Sequence, residues 1–364
     1  MRLAPTPEQA ELKAAVRRFC DEQINPERLT AWARTPRGIA ESTWRAIAAL
    51  GWFGLALPTE CGGSGQSVIE LGCLLEECSR GLVPLAVIAA IRGARALAQL
   101  DAGSTELADA ARGERTVTLA LDERQCREPA NFATRIETRG TTTVVNGEKW
   151  YVADAAHADW HIVAARDGGD LALVLVAVEP QSVTPLRSFD GAPQGVVAYR
   201  NTPVLRRLSA PGHGTAALRG LRHEQRALAL AEQLGTMSAA LDMTVAYVKE
   251  REQFGQKIAV FQAVQHQIAD AGMDYTAARN LAWQAITRLA AGTEEGTELD
   301  TAAAFIGPAC KRLTLSAHHL HGGAGYVVEH PLHWHAERAQ ALSIRYTPEA
   351  PALARIAAAL LGEL

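Results

Sequence analysis

The sequence predicts a mixed α and β protein: an N-terminal helical domain, a middle antiparallel β-barrel or sandwich, and a C-terminal antiparallel helical bundle. Three observations carry this reading. Residues 1–114 are dominated by Ala, Leu, Glu and Arg, with apolar spacings of three and four, the period of a helix face. Residues 115–213 switch to short apolar runs such as Thr116–Leu121 and Leu171–Val178 between turn signals, the pattern of short strands closing a compact sheet. From 214 to 364 the helical spacing returns.

Each element has a local reason. Thr6-Pro7-Glu8-Gln9 supplies an N-cap, a proline at the first helical position and an early acid, which together start a helix. Ser42-Thr43-Trp44 opens another that ends before Gly51, and Pro58 to Gly65 reads as a loop bent by glycine. Helix resumes from Val68 to Arg80 and again through the Ala-rich segment before Gly113. In the β stretch, Asn146-Gly147 predicts a tight hairpin turn. Asp167-Gly168-Gly169-Asp170 predicts a second, between His161–Arg166 and Leu171–Val178. Phe261, Val264, Ile268, Ala271, Tyr275, Ala278 and Ala282 then form one stripe on a long helix. Met237, Leu241 and Val248 mark the helix before it, and Phe254-Gly255 joins the two into an antiparallel pair.

The 364 residues carry Lys+Arg 36 against Asp+Glu 40, a net charge of −4, with 48% apolar and 21% charged residues. That composition supports a large core and gives no electrostatic footprint for nucleic acid. No apolar run is long enough to span a bilayer, so no membrane partner is expected, and the first residues do not read as a signal peptide. Six cysteines lie without redox or zinc spacing, which points to a reduced, cytoplasmic setting. His330-x-x-His333-x-His335 is not completed by carboxylates or cysteines, so no metal is expected. Trp150, Trp160 and Trp283 read as packing rather than as an acyl pocket. Cys126 stands between Arg124 and Arg127, cations that favour a thiolate.

Four motifs then occur in order along essentially the whole chain. They are Glu60-x-Gly62-Gly63-x-Gly65; Asn146-Gly147-Glu148-Lys149-Trp150-Tyr151-Val152; Arg251-x-x-Phe254-Gly255 with Phe261-Gln262; and His319-Leu320-His321-Gly322-Gly323-Ala324-Gly325-Tyr326. In this order they resemble the acyl-CoA dehydrogenase family of flavoproteins. The resemblance implies a C-terminal four-helix bundle, an acyl-CoA thioester as substrate and FAD as cofactor. It also implies a glutamate that takes the α-proton while the β-hydrogen leaves as hydride to the flavin. Such proteins are usually tetramers with each flavin between two subunits, and they pass electrons to an acceptor such as electron-transfer flavoprotein.

The resemblance is uneven. The residues that reach a neighbour's flavin are kept: Arg251, Phe254, Gln262, Gly322 and Gly323, with His319 where glutamine is usual. Arginine suits a diphosphate through its planar fork, and paired glycines let backbone N–H groups approach it. The residues that would hold the chain's own flavin are altered. Where the family has Thr-Glu-x-x-x-Gly-Ser-Asp, this chain has Asp122-Glu123-Arg124-Gln125-Cys126-Arg127-Glu128-Pro129, and the family's aromatic-Ile-Thr-Asn reads Tyr151-Val152-Ala153-Asp154. The base is missing too: Tyr-Glu-Gly-Thr reads Tyr346-Thr347-Pro348-Glu349, and the alternative position on the preceding helix is Gln225. Glu224 is a weak candidate base, since one helical step turns a side chain by roughly 100°; with Arg222, His223 and Arg226 around it, it reads as a surface ion pair.

The expectation is therefore a subunit of an FAD-dependent acyl-CoA dehydrogenase that shares FAD across a subunit interface with a homologous dehydrogenase subunit. It is similar to the degenerate subunit of α2β2 enzymes acting on CoA thioesters of steroid side chains. Two alternatives stand beside it: a self-sufficient homotetramer with Glu224 or Glu349 as a displaced base, and a non-redox structural or CoA-ester-binding subunit.

Overall fold

The structure, a computed structural model, describes residues 4–124, 126, 128–293 and 296–362. Helices α1 (Pro7–Gln23), α2 (Pro26–Trp32), α3 (Glu41–Ala49), α4 (Val68–Arg80), α5 (Leu85–Leu100) and α6 (Glu106–Ala111) come first. Seven strands follow: β1 (Val117–Ala120), β2 (Arg135–Arg139), β3 (Thr142–Ala153), β4 (Trp160–Asp167), β5 (Asp170–Ala177), β6 (Val183–Leu186) and β7 (Gln194–Arg207). Helix α7 (Gly214–Glu250) leads through the hairpin β8 (Glu252–Gln253) and β9 (Gln256–Lys257) to α8 (Gln262–Ala290), α9 (Thr297–His321), α10 (Leu332–Arg345) and α11 (Glu349–Leu361). The chain divides into two compact units: Met1–Arg28 with Ser67–Val83 and His223–Leu364, and Leu29–Gln66 with Pro84–Arg222. No helix among the described residues is long and apolar enough to cross a membrane.

Cap chemistry sets the helix starts. Thr6 Oγ1 accepts from the Gln9 N–H at 3.3 Å while Gln9 Oε1 accepts from the Thr6 N–H at 2.9 Å, a reciprocal capping box. Ser67 and Glu70 repeat it at α4, where Glu70 Oε2 accepts from the Ser67 N–H at 3.1 Å. The helix expected to open at Ser42-Thr43-Trp44 is present and begins one residue earlier, at Glu41, behind Ala40, whose methyl group makes no cap hydrogen bond.

The first unit is helical. Leu230, Leu234 and Met237 of α7, Ala278, Ala282 and Ile286 of α8, Ala302, Ile306 and Leu313 of α9, and Ala339 of α10 share one buried cluster. Each fully buried Leu or Ile contributes about 1.5–3 kcal/mol, and the many alanines let helix axes approach closely. Gly235 of α7 permits the closest approach, since a Cβ there would lie 1.9 Å from the Glu76 carbonyl oxygen of α4.

The second unit is built on a barrel. The pairings β4–β5, β5–β7, β7–β3, β3–β2 and β2–β4 close a ring, with β1 added to β4 and β6 to β7. The ladders are antiparallel except β1–β4 and the Arg135↔Arg166 pair of β2–β4. Strands β4 and β5 are buried on both faces. Val163, Ala165, Val174 and Val176 join Val145, Val197 and Tyr199 in one cluster, while Ile162, Ala164, Leu173 and Leu175 pack with Leu97, Leu107 and Leu218 in another. Double burial explains their near-continuous apolar sequence.

The Gly168-Gly169 hairpin forms as expected, with Asp167 paired to Asp170. The Asn146-Gly147 turn does not. Both residues lie inside β3, at a register shift against β7. Gly147 has φ 142, and a Cβ on it would sit 2.5 Å from Thr134 Cα. The glycine serves a bulge and a close approach instead, and the β2–β3 turn falls at Gly140, whose φ is 62.

Candidate functional site

At one end of the helical unit the chain leaves α7 at Arg251, whose N–H still donates to the Tyr247 carbonyl at 2.8 Å. Phe254 and Gly255 then form the tip of the β8–β9 hairpin with φ values of 56 and 77, both positive, as a type I′ turn requires. Phe254 is 93% exposed, and its ring meets Phe261 edge-on at 6.1 Å. Phe261 caps α8, so Gln262 is the first residue of that helix and is exposed. Arg251 is exposed, and its guanidinium has no ion-pair partner among the described residues. Helix α9 ends at His321, and Gly322 turns the chain with φ 56. A Cβ at Gly322 or Gly323 would meet nothing within 4 Å. His319 is exposed on the last turn of α9.

The Tyr247 and His321 rings stack with centroids 4.4 Å apart, which brings the end of α7 to the end of α9. An exposed guanidinium and an open glycine backbone are donors of the kind that could hold a diphosphate, and an aromatic ring standing in water is a surface on which a base could pack.

The positions considered for a base are placed differently. Thr347 is buried, and its Oγ1 donates to Gln233 Oε1 at 3.2 Å. Gln233 Nε2 in turn donates to Ser343 Oγ at 3.0 Å, and that hydroxyl donates to the Ala339 carbonyl at 2.8 Å. The threonine belongs to a polar network linking α7, α10 and the segment before α11. Glu349 is exposed at the first position of α11, where a carboxylate complements the helix dipole. Glu224 is not the surface residue its sequence neighbours imply: it is only 5% exposed, and Gln225 only 4%. Its neighbours have carboxylates of their own, Arg226 pairing with Asp300 at 2.6 Å and Arg222 with Asp122 at 2.9 Å.

In the barrel unit, Asp122, Glu123, Arg124, Cys126, Glu128 and Pro129 of the altered segment are described, and Gln125 and Arg127 lie outside the described residues. Glu123 and Cys126 exchange backbone hydrogen bonds at 3.2 Å. The Glu123 carboxylate accepts from the Ala133 and Thr134 N–H groups at 2.7 and 2.9 Å and from Lys149 Nζ at 3.0 Å. Lys149 is fully buried, its ammonium 3.7 Å from the Phe132 ring centroid. Burial pushes Lys149 down to about 8, against the pull of Glu123. Burial alone would raise Glu123, but the two backbone donors and Lys149 outweigh it and hold the carboxyl below its ordinary value. Sequence reasoning missed this pair. The available signal was Lys149 itself, which shares the parity of buried Val145 along β3.

The Tyr151-Val152-Ala153-Asp154 segment is also committed to the fold. Tyr151 and Asp154 both hold positive φ, at 59 and 49. The Ala153 carbonyl accepts the Thr118 hydroxyl. Buried Asp154 receives Arg37 and His157, each at 2.9 Å. Cys126 is half-buried, its Sγ 3.5 Å from the Glu128 carbonyl. Trp160 and Trp283 are buried, the first beneath Arg115, and Arg124 lies 5.0 Å from the Trp150 ring. His330 meets the edge of His321 at 4.9 Å, His333 packs on Trp334, and His335 is buried. Among the described residues, no group of three or more His, Cys, Asp or Glu side chains could hold a metal ion.

Comparison with known proteins agrees with this architecture. The acyl-CoA dehydrogenase N-terminal domain family matches residues 6–110, and the acyl-CoA dehydrogenase C-terminal domain family matches residues 212–361. Benzylmalonyl-CoA dehydrogenase of Aromatoleum aromaticum is 31% identical over 305 residues, covering 77% of this chain and 78% of that protein. A structure of a variant of the Tcur3481-Tcur3483 steroid ACAD is similar at 30% identity and a TM-score of 0.88, covering 97% of each chain. The ChsE4-ChsE5 complex from Mycobacterium tuberculosis is similar at 26% identity and a TM-score of 0.89, covering 100% of each chain. The chain belongs to the acyl-CoA dehydrogenase family, oxidoreductases acting on acyl-CoA.

Proposed function

We propose that this chain is one subunit of a heteromeric acyl-CoA dehydrogenase and supplies the across-interface part of a flavin site held mainly by a homologous companion subunit. The observation that carries the reading is the fate of Thr347. It stands where the family's glutamate base is expected, and it is buried with its hydroxyl on Gln233. A threonine hydroxyl does not accept a proton near neutral pH. The bonds that commit Glu123 to Thr134 and Lys149 support it from the side of the chain's own flavin.

FAD, when bound, takes the substrate's β-hydrogen as hydride. The work assigned to this chain is binding. Arg251 offers paired hydrogen bonds to a diphosphate, Gly322 and Gly323 offer backbone N–H groups, and Phe254 offers a ring for an adenine to pack on. Gln262 and His319 stand at the adjoining helix ends. The carboxylate base belongs to the companion. Two of the similar solved structures pair differently named subunits, and one of those is called a steroid ACAD. By that analogy the substrate is the CoA thioester of a steroid side chain; the family resemblance, not these structures, makes an electron-transfer flavoprotein the proposed electron acceptor.

The test is to purify the chain alone and together with a homologous subunit encoded beside it. The single chain is expected to be colourless and inactive, and the pair yellow and bleached by acyl-CoA. A single chain that is yellow and fully active overturns the proposal. A second reading, a homotetramer with Glu224 as base, is favoured by one observation: the burial of that carboxylate. Loss of turnover in Glu224→Gln, with flavin retained, would select it.

A further inference from the structure

We infer that Tyr247 and His321 are a positioning pair that fixes the distance between the Arg251 arm and the Gly322-Gly323 turn, so that both reach one nucleotide. The inference rests on the function proposed above. The two arms come from segments remote in sequence, one at the end of α7 and one at the end of α9. Tyr247 lies one helical turn before Arg251, whose N–H donates to the Tyr247 carbonyl at 2.8 Å. His321 immediately precedes Gly322. Their rings stack at 4.4 Å with planes only 21° apart. A shift of either helix end therefore has to break the stack or carry the other arm with it.

The turn is seated on the same imidazoles. A Cβ on Gly325 would lie 2.9 Å from His321 Cβ and 3.3 Å from His318 Nδ1. Beyond it, Tyr326 stacks on His318 at 4.8 Å. His321 Nδ1 lies 2.8 Å from the Ala317 carbonyl, one turn back on its own helix. That bond puts the proton on Nδ1 and fixes the plane of the ring. His321 is only 2% exposed, and its Nε2 has no hydrogen-bond partner among the described residues. The ring is thus held for its face rather than for its second nitrogen. The groups facing it are Tyr247 from α7, His318 from α9 and His330, with Tyr326 stacked on His318 and His333 acting on His330. Burial holds His318, His321 and His330 below the usual histidine range.

The experiment uses the co-purified complex, stripped of flavin and titrated with FAD while flavin fluorescence is followed. Tyr247→Ala is expected to weaken FAD binding about tenfold, and Tyr247→Phe, which keeps the ring, to stay within about twofold of the parent. His321→Ala should follow Tyr247→Ala and replaces it if that variant does not fold, as judged by thermal melting. Arg251→Ala is the control. If Arg251→Ala weakens binding but the two stack variants do not, the positioning pair is wrong and the function stands. If Tyr247→Phe is as weak as Tyr247→Ala, the ring face is not what matters, and the inference also fails. If Arg251→Ala binds FAD like the parent, the across-interface reading falls and takes this inference with it.

Discussion

Thr347 and Gln233 are joined by a 3.2 Å hydrogen bond in the interior of the helical unit, and Gln233 passes the connection on to Ser343. The segment that would carry a catalytic glutamate is thereby part of the packing. Thr347→Glu should not simply restore a base. It buries an unpaired carboxylate, and a loss of about 3–5 kcal/mol is expected in urea unfolding. Thr347→Val, which leaves the Gln233 carbonyl without its donor, should cost about 1–3 kcal/mol.

The Glu123–Lys149 pair predicts a non-additive double mutant. Lys149→Met leaves a carboxylate facing a dry interior and should destabilise by about 3–5 kcal/mol, whereas adding Glu123→Gln should recover a large part of that. A cycle in which the two effects simply add would show that the bond measured at 3.0 Å contributes no coupling.

Stability should fall in acid through two histidines. Burial holds His161 down to about 4, and burial with Arg338 and Arg80 nearby holds His335 down to about 3. In the unfolded chain both titrate near 6.5. Between those values the unfolded state binds more protons, so stability decreases as pH drops below about 6.5, by about 1.4 kcal/mol per pH unit for each histidine. Urea titrations at pH 7, 6 and 5 measure the slope, and His335→Leu should reduce it by about one proton's share.

Phe254 separates binding from folding. Phe254 is 93% exposed at a hairpin tip, so Phe254→Ala should leave the stability of the isolated chain unchanged within about 0.5 kcal/mol and its melting temperature nearly so. In the co-purified complex the same change should lower flavin occupancy, read as the ratio of visible to ultraviolet absorbance. A drop in melting temperature without a change in occupancy would remove Phe254 from the binding surface.

The parts of the fold that could be read in the sequence are those decided by near neighbours. Thr6 with Gln9, and Gly168-Gly169 between apolar runs, act within a few residues, and the elements they predict are present. Asn146-Gly147 is equally local, yet Thr134 lies against the glycine and turns a hairpin signal into a bulge. Glu224 was misread for a similar reason. The arginines expected to hold it at the surface pair with Asp122 and Asp300, partners that sequence proximity does not reveal. At the candidate site, Arg251, Phe254, Gln262, His319, Gly322 and Gly323 could be named because they stand in motif order. The contact between Tyr247 and His321 could not, because it exists only once two helix ends have met.

The bare hairpin tip also bears on how such a polypeptide is made. With Phe254 in water, and Tyr326 and Val328 uncovered on a second loop, the chain by itself presents sticky side chains to other proteins. Under the function proposed above, chaperone shielding and matched expression of the two subunits become conditions for yield, and a surplus of this product should end in aggregates or at a protease.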